Sequence, residues 1–74
     1  MARKKIKIER PVFHGMADVE KGIIEIDARL KGKLELFAHV HEALHIAYPE
    51  MSEEEIARGE EDVADVIWRA GYRK

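Results

Sequence analysis

The chain has 74 residues, enough for one small domain spanning residues 1–74 and not for two. Hydrophobic residues make up 46% and charged residues 38%, with a formal net charge of −2. That balance excludes a disordered tail and gives no global pull toward nucleic acid or an anionic membrane. There is no cysteine, which excludes disulfides and thiolate metal sites.

A core of this size rarely supplies more than ~3–5 kcal/mol, so a bound metal or a partner subunit is the remaining source of extra stability. No apolar run approaches the ~20 residues of a membrane span. The basic start is followed by alternation rather than an apolar block, so the expected location is the cytoplasm.

In chain order, Lys4 to Glu9 (Lys-Lys-Ile-Lys-Ile-Glu) alternates polar and apolar, the period of a half-buried strand with Ile6 and Ile8 inward. Its lysines suit a solvated sheet edge. Pro11 ends it. Residues 14–22, bracketed by Gly15 and Gly22, read as a connection. Gly22 to Asp27 (Gly-Ile-Ile-Glu-Ile-Asp) is a second β-rich run, with Ile24 and Ile26 alternating against Glu25 and Asp27. The two runs are expected to pair as an antiparallel hairpin.

From about Lys33 the period becomes helical, with Leu34, Phe37, Ala38, Leu44 and Ala47 on one face, widened by Leu36 and Val40. Pro49 stops this helix by pushing the residue before it out of helical geometry. Ser52 opens a second helix with the capping-box pattern Ser52-Glu53-Glu54-Glu55. Ile56, Val63, Ile67 and Ala70 mark its expected buried stripe, and Gly71 its stop. The expected fold class is α+β, a β-hairpin followed by two packed helices (ββαα).

Residues 41–45 read His-Glu-Ala-Leu-His on the first helix. Positions i and i+4 share one face about a turn apart, so the imidazoles of His41 and His45 can reach one ion. Glu42 lies roughly 100° around the helix, beside that ion, where it can take a proton from an activated water. A catalytic zinc needs a third protein ligand and a fourth position left for water.

Position 51 is Met51, so no third histidine follows at the spacing of the extended His-Glu-x-x-His-x-x-Gly-x-x-His motif. The second helix supplies carboxylates instead. Measured against its apolar stripe, Glu53 and Glu60 face the first helix, whereas Glu54, Glu55 and Glu61 turn away by about 100° or more. With a short turn near Pro49, His45 falls opposite residue 53 and His41 opposite residue 57, which leaves Glu60 beyond the pair, opposite Ala38. Glu53 is therefore the expected third ligand, with Glu60 the alternative if the helices cross steeply. His39 points to the opposite side from His41, and His14 sits in the inter-strand connection.

With these residues in place, the chain resembles the zincin metallopeptidases, whose defining helix motif appears here as His41-Glu42-Ala43-Leu44-His45. It looks like a pared-down gluzincin, similar to very small metallopeptidases encoded in phage genomes. Their features appear here as Ile24-Glu25-Ile26-Asp27, Leu30-Lys31-Gly32, Pro49, Ser52-Glu53-Glu54 and Trp68-Arg69-Ala70-Gly71-Tyr72-Arg73. The longer Asn-Glu-x-x-x-Asp motif of larger gluzincins is missing.

The resemblance implies a minimal zincin-like domain with zinc as cofactor, His41 and His45 as ligands, Glu42 as base and a glutamate of the next helix as third ligand. It implies hydrolysis of peptide bonds in a peptide or protein substrate. The alternative is a zinc-stabilised small scaffold or binding module without catalysis. In either case an oligomer is compatible with the sequence, and neither a membrane nor a nucleic-acid partner is expected.

Overall fold

β-Branched Ile8 and Ile24 form strands, as their stiff side chains favour, but the pairing differs from a simple hairpin of two strands. The computed structural model describes residues 5–12 and 15–72; Lys4 and His14 lie outside them. The elements are β1 (Lys7–Glu9), β2 (Met16–Asp18), β3 (Ile23–Glu25), α1 (Gly32–Ala47) and α2 (Glu53–Arg69). The architecture is α+β, a three-stranded mixed sheet of order β1-β3-β2 followed by two packed helices.

The expected antiparallel pairing of the two Ile-rich runs does not form. β1 pairs with β3 in parallel, Ile8 opposite Ile24. The antiparallel partner of β3 is β2, drawn from residues read in sequence as a connection, with Ala17 opposite Ile24.

Two local features make that return possible. Gly15 lies so close to β3 that a Cβ there would collide with the Glu25 carbonyl oxygen, so only a bare backbone fits. The turn between β2 and β3 closes with Gly22 at φ 67°. Its amide donates to the Asp18 carbonyl at 2.9 Å, while the Asp18 carboxylate accepts from Lys21 N–H at 3.1 Å.

Ile24 and Ile26 are buried, as their alternation predicts. Ile8 is not: it is 54% exposed, because β1 is an edge strand. After β3, buried Asp27 turns the chain by accepting from Arg29 N–H, Nε–H and Nη2–H at 2.9, 3.0 and 2.7 Å. Arg10, just past β1, reaches Glu35 in the first turn of α1 at 2.6 Å and ties the helix start to the sheet.

α1 lies against β2, β3 and α2. None of its residues is fully buried, and Leu34, expected on the core face, is 68% exposed. α2 is rotated relative to the expected stripe: Ile56 and Ala64 are fully buried and Val63 is 46% exposed. Small residues explain the rotation. A Cβ on Gly59 would stand 3.3 Å from Leu44 Cδ1, so the helices close on each other along the face of Gly59, Glu60 and Ala64.

Ser52 caps α2 as its sequence predicts. Its hydroxyl accepts from Glu55 N–H at 3.1 Å, and the Glu55 carboxylate accepts from Ser52 N–H at 2.9 Å. Those bonds from Ser52, backbone first, hold the Glu55 carboxyl below its usual range. A lowered folded-state pKa means this contribution is present above the ordinary glutamate value and is lost as pH falls through the lowered one. Ser52→Ala should cost about 1 kcal/mol, a Tm loss of roughly 4–8 °C at neutral pH. Because alanine keeps the backbone N–H that holds the Glu55 carboxylate, the deficit should depend little on pH; an unchanged Tm would contradict the role of the hydroxyl.

The C-terminal end of α2 closes with Gly71 N–H on the Trp68 carbonyl and Tyr72 N–H on the Ile67 carbonyl, the bond pair of a Schellman motif. Among the described residues, no helix is long and apolar enough to cross a membrane.

Candidate metal centre

The residues of the His-Glu-x-x-His motif lie in the second half of α1, where i, i+4 spacing stacks His41 and His45 on one face. Their ring centroids are 5.0 Å apart. α2 folds back along α1 from its capped start and presents Glu53 and Glu60. These positions are seven residues apart and therefore only about 20° apart around a helix.

Glu53 meets both imidazoles. Its Oε1 lies 2.6 Å from His45 Nε2 and its Oε2 3.7 Å from His41 Nε2. Glu60 takes the other side of the first ring, with Oε1 2.7 Å from His41 Nδ1. Glu60, expected beyond the histidine pair and opposite Ala38, instead reaches the level of His41. Side chains on a helix lean toward its N-terminus. On helices running back along each other, His41 and Glu60 therefore lean toward one another and meet.

The two glutamates thus occupy different positions. A carboxylate only accepts, so the hydrogen shared with Glu60 belongs to Nδ1 of His41, and the neutral ring then carries its lone pair on Nε2. Histidines that bind metals are commonly held in this way, with one nitrogen tied to a carboxylate and the other turned to the ion.

His41, His45 and Glu53 each offer one ligand atom, and these atoms lie within 4.8 Å of one another. Donors around a tetrahedral zinc, each ~2.0–2.1 Å from the ion, stand about 3.3 Å apart. Spacings within 4.8 Å are of that order, so the group could hold a metal ion. Glu53 is the most open member, with its side chain 72% exposed, which keeps one side of the cluster accessible to solvent.

Glu42 is half-buried next to the pair. Burial is the main cause that raises its carboxyl above the ordinary glutamate range. The electrostatic influence of His41 and His45 pulls it down, and Glu53 and Glu60 push it up again. A carboxylate made more basic in this way is better suited to take a proton near neutral pH.

His39 belongs elsewhere: its Nδ1 donates to the Glu35 carbonyl at 2.7 Å, and its ring lines an apolar cleft with Ile8, Leu36 and Trp68. The Gly22 to Asp27 run contains the central strand β3, flanked by β1 and β2, so it offers no free edge to an extended peptide. Sequence reasoning missed Gly59, whose signal is a bare position facing Leu44, the residue before His45. Compared with protein-family models, with curated proteins and with solved structures, the chain matches none.

Proposed function

We propose that this chain is a zinc-dependent, metallopeptidase-like protein of minimal gluzincin type that hydrolyses a peptide bond in a peptide or protein substrate. The observation that carries the reading is the convergence of His41, His45 and Glu53, with Glu42 beside them and Glu60 behind His41. Two imidazoles and one carboxylate form a donor set that suits zinc and leaves a fourth position open. Zinc bound there would lower the pKa of a water toward ~7 and polarise a substrate carbonyl.

The protein's own residues do the rest. Glu60 fixes the tautomer and orientation of His41, Glu53 balances charge, and Glu42 takes the proton of the attacking water. Glu42 then returns that proton to the departing nitrogen, which leaves as a neutral amine.

A second reading, a zinc-stabilised scaffold without catalysis, is favoured by one specific observation. Among the described residues only Ile24, Ile26, Ile56 and Ala64 are buried apolar side chains, so an ion between α1 and α2 would add stability the core lacks.

Metal titration separates the roles of the glutamates. Glu53→Ala should weaken zinc binding about tenfold or more by deleting a ligand. Glu60→Gln should weaken it too, within the roughly 10–100-fold range of outer partners, while keeping the same count of ligands in the zinc absorption spectrum. Unchanged affinity in Glu53→Ala, with a lost ligand in Glu60→Gln, would exchange the two assignments.

A further inference from the structure

Among the described residues β1 is an open edge, with β3 as its one neighbour, and its sequence complements itself. Its bonds to β3 run through the odd-numbered residues: Lys7 N–H donates to the Gly22 carbonyl and the Glu9 carbonyl accepts from Ile26 N–H, each at 2.8 Å. Backbone groups alternate along a strand, so the N–H and C=O of Ile8 point away from β3, toward the uncovered side. The Ile8 side chain is 54% exposed and lines an apolar cleft of about 580 Å³ with Leu36, Trp68 and Tyr72; Tyr72 is itself 76% exposed. An apolar patch beside an unpaired strand edge calls for a partner.

We propose that the partner is a second copy of this chain, paired antiparallel through β1 about a twofold axis at Ile8. Charge selects that register. With Ile8 opposite the partner's Ile8, Lys7 stands opposite the partner's Glu9, and Glu9 opposite the partner's Lys7. Lys7 and Glu9 already lie on one face, 3.8 Å apart and exposed, so the pair closes a ring of four alternating charges.

Parallel pairing in register would instead set Lys7 against the partner's Lys7, and a shift by one residue would set Lys7 against the partner's Ile8. The other edge lacks this property: Met16-Ala17-Asp18 turned on itself at Ala17 sets methionine against aspartate.

A twofold axis normal to the sheet keeps the helices of both copies on the same face. The result is a six-stranded sheet in which the two Ile8 side chains and the two clefts adjoin across the axis. The cluster of His41, His45 and Glu53 takes no part in this surface, so the proposal stands apart from the metal reading.

Sedimentation equilibrium from micromolar to millimolar concentration tests it. Wild type should show a monomer–dimer equilibrium. Lys7→Glu sets glutamate against glutamate at both contacts, Glu9→Lys sets lysine against lysine, and each should raise the dimer Kd about tenfold or more. An equimolar mixture of the two variants restores both opposite-charge contacts and should form heterodimers with wild-type affinity.

The double exchange, Lys7→Glu with Glu9→Lys in one chain, keeps complementarity and should dimerise as wild type does, even if a single variant folds poorly. A wild type that stays monomeric at millimolar concentration overturns the proposal. So does a dimer that neither single variant weakens, or single variants whose mixture stays monomeric while the double exchange also fails to associate.

Discussion

Glu42→Gln should lower peptide-bond hydrolysis by about 10²–10⁴-fold, the contribution of a positioned general base, while zinc content stays at the wild-type level. The amide is nearly isosteric but cannot accept the proton of the attacking water. It is not a member of the cluster of His41, His45 and Glu53, so the donor set remains whole.

The pKa of Glu42 adds a check on stability. Burial raises its folded-state value, so the favourable linkage is complete below the ordinary glutamate pKa and disappears as pH rises through the raised one. At neutral pH the ionised side chain therefore opposes folding, and the neutral glutamine should leave the metal-free Tm equal to or above wild type. Hydrolysis rates, zinc content and melts of the same preparations read all three expectations. Hydrolysis that persists in Glu42→Gln at the wild-type rate would remove the general-base role; a wild type that cleaves no peptide, yet gains stability from zinc, would leave the scaffold reading.

The second large effect is on stability. With four buried apolar side chains among the described residues, the metal-free fold stands on a thin core. Zinc at one hundred times its Kd should add about 2.7 kcal/mol if it binds only the folded chain, a Tm rise on the order of 10–20 °C for a domain of this length. His45→Ala removes the imidazole that lies 2.6 Å from Glu53 and should abolish most of that rise. Its metal-free melt should change far less, since no buried apolar group is lost. Thermal melts with zinc and with chelator provide the comparison; equal zinc-induced rises in wild type and His45→Ala would place any ion elsewhere.

Features encoded by short-range rules were legible in the sequence. The i, i+4 spacing of His41 and His45 needs only a helix to act, and the box at Ser52 and Glu55 is contained within four residues. The inward alternation of Ile24 and Ile26 also survived, because β3 is central and covered.

Features decided by tertiary contact were not legible. β2 is a three-residue strand, Met-Ala-Asp, without alternation of its own; it exists because Gly15 allows a close approach to Glu25. Parallel pairing of β1 follows from where β2 docks, which no local pattern in residues 4–9 records. The rotation of α2 that exposes Val63 and buries Ala64 comes from the meeting of Gly59 with Leu44, a contact across two helices. Helical facing identified Glu53 and Glu60 together; the lean of the side chains brings Glu60 to Nδ1 of His41, whereas the approach of Glu53 to Nε2 depends on side-chain conformations across the two helices that no local pattern records.

Zinc K-edge absorption on protein loaded with one equivalent reads the ligand set itself. Two imidazole nitrogens and one carboxylate oxygen are expected at about 2.0–2.2 Å, completed by a water oxygen. One imidazole signal should vanish in His45→Ala and the carboxylate contribution in Glu53→Ala. A zinc environment with a single imidazole, or no retained zinc after desalting, would rule out a centre built on His41, His45 and Glu53.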